Sequence, residues 1–179
     1  MPYEPPSPNN SLDIAETPSK SEVHWLVKAF ASGLFSGFSP VASGTVGSAV
    51  ALAIYFLPGF EQPVVILPVG FFTFLAGVRA SHLMEQQYGH DPAEVTIDEV
   101  VGMWVSLLLL PKHILIAGCA FLLFRIFDIF KPFPARKFDN VLGGLGIMMD
   151  DVVAGLYTNL AMHLLIFLSL FEKLGVQLN

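Results

Sequence analysis

The chain has 179 residues, 54% of them hydrophobic and 13% charged, with a formal net charge of −6 and a mean hydropathy of +0.63. A soluble domain carries about 25% charged residues, so this composition indicates an integral membrane protein. The acidic balance argues against nucleic acid, whose binding rests on a basic face that neutralises phosphates. The single cysteine, Cys119, excludes an intrachain disulfide and a cysteine-rich metal site; its apolar neighbours predict a buried small hydrophobe.

Residues 1–21 are rich in Pro, Ser, Asn and acids and lack the basic start and apolar core of a signal peptide. They read as a disordered tail before one membrane domain, 22–179. Ser19 and Glu22 have capping-box spacing and predict a short helix over 23–35, with Trp25 and Lys28 suited to an interface. A Gly/Ser-rich turn follows at 36–48. Helices are predicted over 45–57, ending at Pro58-Gly59, and over 63–87, with a kink at Pro68. Residues 95–110 and 114–130 predict a helical pair joined by Pro111-Lys112-His113, and 150–171 the last helix. No charge occurs over 29–60, 62–78 or 152–171, and a span needs about 20 mostly apolar residues. The expected fold is therefore all-α, a multi-pass membrane bundle. If the helices alternate in direction, the 36–48 turn, the 88–99 island and the 131–149 loop fall at one end. Lys131, Arg136 and Lys137 mark that end as cytoplasmic, against Lys112 at the other.

Nine of the 15 acids lie between Glu85 and Asp151, in short polar islands. Carboxylates so close to lipid-grade segments are expensive and mark candidate functional sites. Asp98 and Glu99 are adjacent on a helix, about 100° apart, so they can flank one site. They read as Mg²⁺ ligands, with Glu94 one turn earlier on the same face; a Thr96–Glu99 capping box is the competing account and leaves Asp98 unexplained. Asp150 and Asp151 read either as helix N-terminal acids favoured by the dipole or as further metal ligands. Arg125 and Asp128, three apart, are either a local ion pair or a phosphate clamp beside a metal ligand or general base. Lys131 at that helix end can neutralise phosphate as a point charge, and Arg136 follows in the same loop. The 36–48 turn, with Thr45 and Ser48, is either an anion site of hydroxyls and free N–H groups at a helix start or a small-residue packing surface. It lacks the Gly-x-x-x-x-Gly-Lys of a P-loop. Cys119 and Arg125 share the spacing of cysteine phosphatases, but Ala-Phe-Leu-Leu-Phe between them is a helix interior. His90 is a candidate proton carrier or a solvated loop residue. His82, His113 and His163 stand alone on apolar segments.

These motifs resemble one family. Ser-Gly-x-Ser-Pro-x-x-x-Gly-Thr-x-Gly-Ser at 36–48, His90-Asp91, Ile97-Asp98-Glu99-Val100-Val101-Gly102-Met103-Trp104, the run from Phe124 to Pro134, and the run from Gly143 to Asp151 are similar, in order and spacing, to bacterial phosphatidylglycerophosphatase A. The resemblance covers roughly residues 25–157. It implies an enzyme of the bacterial inner membrane that uses Mg²⁺ to remove the terminal phosphate of phosphatidylglycerophosphate, giving phosphatidylglycerol in phospholipid biosynthesis. On this reading Glu94, Asp98, Glu99, Asp150 and Asp151 hold metal. Asp98, Asp128, Arg125 and Lys131 carry catalysis. Thr45, Ser48, Arg125, Lys131 and Arg136 contact substrate phosphate. The expected partners are the phospholipid and the bilayer, with the active site facing the cytoplasm. A lipid phosphotransferase would show an Asp-Gly-x2-Ala-Arg signature, and a proton-coupled transporter repeated halves; neither is present in the sequence.

Overall fold

A computed structural model describes residues 22–133, 135–138 and 141–168. The predicted tail over 1–21, Pro134 and the expected end of the last helix over 169–171 lie outside the described residues. Among these there are helices and no strand: α1 (Trp25–Ala31), a 3-10 turn (Ser36–Phe38), α2 (Ser43–Tyr55), α3 (Pro63–Tyr88), α4 (Ile97–Ser106), α5 (Ile114–Phe130), α6 (Ala135–Phe138) and α7 (Gly144–Phe167).

Local chemistry sets several boundaries. The ring nitrogen of His24 accepts the Leu26 N–H at 3.3 Å and starts α1. That helix stops at Ala31, short of the expected 35, because Gly33, Leu34 and Phe35 are all left-handed, with φ of 51°, 59° and 67°. Seven residues of helix rise only about 10 Å, far less than a bilayer. Pro63 occupies the first turn of α3, where its missing N–H costs nothing, and the helix is assigned without a break through Pro68. The predicted 95–110 helix is shorter at both ends. Leu109 turns left-handed at φ 58°, and Leu110, preceding Pro111, is disfavoured in the helical region. The Asn159 amide donates to the carbonyls of Ser106 at 3.2 Å and Leu108 at 2.8 Å, closing that end. The ring of His113 caps α5 through the Leu115 N–H at 3.2 Å, and Lys131 ends it in a left-handed conformation, φ 42°. The lone histidines at 113 and 163 thus act locally, His163 bonding the Asn159 carbonyl at 2.9 Å.

The last helix differs most from expectation. It begins at Gly144 rather than Asp150. Gly144 lies so close to the Val78 carbonyl of α3 that a Cβ there would collide with it. A glycine that reads as loop in sequence is here the small-residue contact that lets a helix start against α3.

The core lies between α4, α7, α3 and α2, with Tyr55, Met84, Met103, Phe124, Met148 and Met162 essentially inaccessible. Trp104 is buried and donates its indole N–H to the Ala51 carbonyl at 3.1 Å. The most extensive helix contact is α4 on α7. At its centre Gly155 faces the Gly102 carbonyl, with no room for a Cβ.

Among the described residues α3 alone is both long and apolar enough to cross a membrane. Outward apolar stripes run along three helices: Val64, Leu67, Phe71 and Leu75 on α3; Leu115, Leu122, Ile126 and Ile129 on α5; Leu156, Leu160, Leu164 and Phe167 on α7. Cys119 is exposed rather than buried, because it falls on the α5 stripe.

The α2–α3 and α4–α5 turns are tied together. Lys112 Nζ donates to Glu61 Oε2 at 2.6 Å and to the Leu57 carbonyl at 2.8 Å. The Lys112 hydrogen bond holds the Glu61 carboxyl below the usual value of 4.5. A depressed folded pKa contributes stability above the unfolded pKa, and that contribution is lost as pH falls through the folded value. The difference in thermal midpoint between the native chain and Glu61→Gln will therefore be constant near neutral pH and shrink below pH 4.5. A difference independent of pH down to about 3 would rule out this role of the pair.

Candidate active site

The starts of α2 and α4, the end of α5, the second turn of α7 and the loop before α4 surround a cleft of about 310 Å³. Its charged lining is Asp91, Asp98, Glu99, Asp128, Asp150 and Asp151, with Arg125 and Lys131. The polar segments expected at one end of the bundle do converge there.

Helix α4 carries Asp98 and Glu99 in its first turn. Their placement does not come from a capping box. Thr96 makes no side-chain cap bond; its hydroxyl meets the Ser36 hydroxyl at 2.9 Å, and its N–H donates to the Ala31 carbonyl at 2.9 Å. Thr96 thereby fastens the 32–38 turn to the start of α4. Nor do Asp150 and Asp151 serve the helix dipole, which acts within the first turn: they are the seventh and eighth residues of α7.

The two aspartates of α7 have different surroundings. Asp150 Oδ2 accepts from Lys131 Nζ at 2.7 Å. Asp151, 3% exposed, keeps Oδ2 without any hydrogen-bond partner, as do Asp98 at Oδ1 and Glu99 at Oε2. Asp98, Glu99 and Asp151 each offer an oxygen within 4.8 Å of the others. Buried carboxylate oxygens are normally hydrogen-bonded or neutralised. Three carboxylates that converge, each with one buried oxygen lacking a hydrogen-bond partner, form an all-oxygen donor set suited to a hard divalent cation. Across the cleft, Arg125 Nη1 lies 2.7 Å from Asp128 Oδ2 and 3.9 Å from Glu99 Oε1. These are ion pairs without hydrogen-bond geometry, so the buried Nε and Nη1 keep unused donor capacity. Gly44 closes this wall: a Cβ there would collide with Glu99 Oε1 and crowd the Arg125 guanidinium.

One cleft thus offers carboxylate oxygens without hydrogen-bond partners beside a guanidinium that is ion-paired to Asp128 yet keeps hydrogen-bond capacity for an anion. Residues 29–166 match the family model described as Phosphatidylglycerophosphatase A. The chain belongs to that family. As a phosphatidylglycerophosphatase A family member it is a phosphatase enzyme. It is similar to proteins named Phosphatidylglycerophosphatase A from Escherichia coli K12, 38% identical over 80% of this chain and 84% of the relative, and from Haemophilus influenzae, 35% identical over 75% and 83%. It is also 46% identical, over 71% of this chain and 85% of the relative, to a Bacteroides thetaiotaomicron protein provisionally named a phosphatidylinositol-3-phosphatase. No solved structure matches the chain.

The cleft gathers Asp98, Glu99, Asp128, Asp150, Asp151, Arg125 and Lys131. Glu94, Thr45, Ser48 and Arg136 are not among its lining residues. Ser48 is fully buried and donates to the Gly44 carbonyl at 2.8 Å, a bond within its own helix. Arg136 is exposed on α6. His90 is drawn away by Glu85 at 2.7 Å. Its neighbour Asp91, part of the His90-Asp91 motif but given no role there, lines the cleft. The signal available was its position in the same polar island as Asp98.

Proposed function

We propose that this chain hydrolyses the terminal phosphomonoester of phosphatidylglycerophosphate in a Mg²⁺-dependent reaction, releasing phosphatidylglycerol and inorganic phosphate. The observation that carries this reading is the set of buried carboxylate oxygens on Asp98, Glu99 and Asp151 without hydrogen-bond partners, beside the Arg125 guanidinium, whose Nε and Nη1 make no hydrogen bond. Six carboxyl groups against two cations give the cleft an excess of acids, so a phosphate dianion needs added positive charge to enter. Asp98, Glu99 and Asp151 would hold Mg²⁺, with Asp150, steadied by Lys131, as outer support. The ion supplies charge neutralisation and an acidified water. Arg125 grips the phosphoryl oxygens as charge develops on them. Asp128, paired with Arg125, accepts the proton of the attacking water and returns it to the headgroup oxygen as the bond from phosphorus to that oxygen breaks, so the lipid leaves as the alcohol. Lys131 meets the departing phosphate, while Arg136, Thr45 and Ser48, which do not line the cleft, take no step.

The outward stripes on α3, α5 and α7 support a multi-pass arrangement, because apolar surface of that extent is not left in water. The basic residues Lys131, Arg136 and Lys137 at the cleft end support a cytoplasmic-facing site in the bacterial inner membrane. The Bacteroides relative supports a second substrate, phosphatidylinositol 3-phosphate. The two lipids share a phosphomonoester whose neighbouring carbon bears a hydroxyl.

The test is phosphate release by detergent-purified protein from each lipid, with Mg²⁺ and with excess chelator. Release from phosphatidylglycerophosphate that stops on chelation is expected. Faster release from the inositol lipid would move the assignment to it, and no release from folded protein would sink both. Arg125→Lys keeps the charge but loses the planar fork. It is expected to lower kcat by about 10²–10³-fold; a kcat within twofold of the native value would remove Arg125 from the phosphate site.

A further inference from the structure

We propose that Asp91 reads the headgroup hydroxyl next to the scissile phosphate, and that the Glu85–His90 pair holds it in place to do so. This inference rests on the phosphatase reading above and extends it to a specificity residue of the same site. Asp91 lines the cleft and is exposed. It stands apart from the convergent oxygens of Asp98, Glu99 and Asp151, and its carboxylate makes no hydrogen bond or ion pair among the described residues. The fold therefore makes no use of the carboxylate.

The backbone around it is nevertheless fixed. Asp91 is left-handed at φ 46°, a conformation unfavourable for most residues that Asp tolerates better than most. On one side His90 Nδ1 lies 2.7 Å from Glu85 Oε1, and Glu85 is only 12% exposed at the end of α3. On the other, Pro92 is buried and its carbonyl accepts the Val95 N–H at 2.9 Å, one turn before α4. An acceptor clamped at both ends, beside a phosphate site and short of a donor, matches an uncharged donor on the substrate. A hydroxyl on the carbon adjoining the phosphomonoester is that donor. A second phosphate at that position would be repelled.

The experiment compares kcat/KM for phosphatidylglycerophosphate and for its analogue lacking the central headgroup hydroxyl, in the native chain, Asp91→Ala, Asp91→Asn and Glu85→Gln. A charge-assisted hydrogen bond lost from a partly exposed site predicts a native preference of about 10–100-fold for the hydroxyl-bearing lipid. In Asp91→Ala the preference should fall to near 1. Asp91→Asn, which keeps the turn and an acceptor oxygen, should give an intermediate value and carries the test if the alanine variant does not fold. Glu85→Gln should weaken the preference more than it changes kcat. A preference unchanged in Asp91→Ala, whatever its overall rate, overturns the proposal. Phosphate release from neither lipid by the native chain overturns instead the reading on which it rests.

Discussion

Asp151→Asn will give a folded protein that releases phosphate at least about 10³ times more slowly than the native chain, the scale of losing a group that organises charge on the transferring phosphoryl. The side chain is nearly isosteric, 3% exposed, and its Oδ2 has no partner to lose, so the fold has little reason to resist. The sign of the stability change separates roles. Without a divalent ion, three buried carboxylates meet with oxygens within 4.8 Å of one another, and Asp→Asn removes one of the repelling charges. In chelator the variant should melt at or above the native temperature. Added Mg²⁺ should raise the native midpoint through preferential binding to the folded state and leave the variant nearly unmoved. Asp98→Asn should behave alike. An equal Mg²⁺ shift in native and variant proteins would place the ion elsewhere.

Gly155→Ala is the second large effect, and it acts through packing. A Cβ at 155 would run into the Gly102 carbonyl of α4, and next meets the Val105 side chain at 3.1 Å. Backbone cannot step aside as a flexible side chain can, so α4 and α7 must separate. Overpacking of this kind costs about 1–3 kcal/mol, a fall in melting midpoint of roughly 2–12 °C for a chain this size. The activity loss should exceed the stability loss. Asp98 and Glu99 ride on one of these helices and Asp151 on the other, and displacement of about 1 Å in a reacting constellation costs on the order of 10²-fold. Gly118→Ala is the control, since a Cβ there meets nothing within 4 Å and alanine is the better helix former. Turnover measured well below each midpoint decides: a Gly155→Ala protein with native kcat would show that the crossing does not position the acids.

The class of fold, the approximate helices and the gathering of acids with Arg125 and Lys131 at one end were legible because each rests on local signals: charge-free runs, prolines, and polar islands whose placement follows from alternating helices. What escaped depends on partners distant in sequence. Asp150 and Asp151 look equivalent side by side, but a helix rotates them about 100° apart. One turns to Lys131 and the other into the convergent oxygens. Gly144 and Gly146 read as flexible loop, yet each presses on a carbonyl, of Val78 and of Val141, which only the packed structure reveals. Thr96 has the spacing of a cap, but its hydroxyl bonds to Ser36 across 60 positions. Ser48 has a hydroxyl suited to an anion and spends it on its own helix. Glu94 shares a predicted face with Asp98, but α4 starts only at Ile97, so the helical spacing that would align them is absent.

The Lys112 tie gives the bundle a mechanical polarity. At the end away from the cleft, one ammonium joins the α2–α3 and α4–α5 turns by two short bonds, 2.6 and 2.8 Å, so the two hairpins are fastened there like the closed end of a clothes-peg. At the cleft end the charged lining comes from α4, α5, α7 and the loop before α4, while the start of α2 contributes only Ala42, Ser43 and Gly44. Breaking the Lys112 tie, as in Glu61→Gln, is therefore expected to loosen the far turns before it disturbs the acids of the cleft.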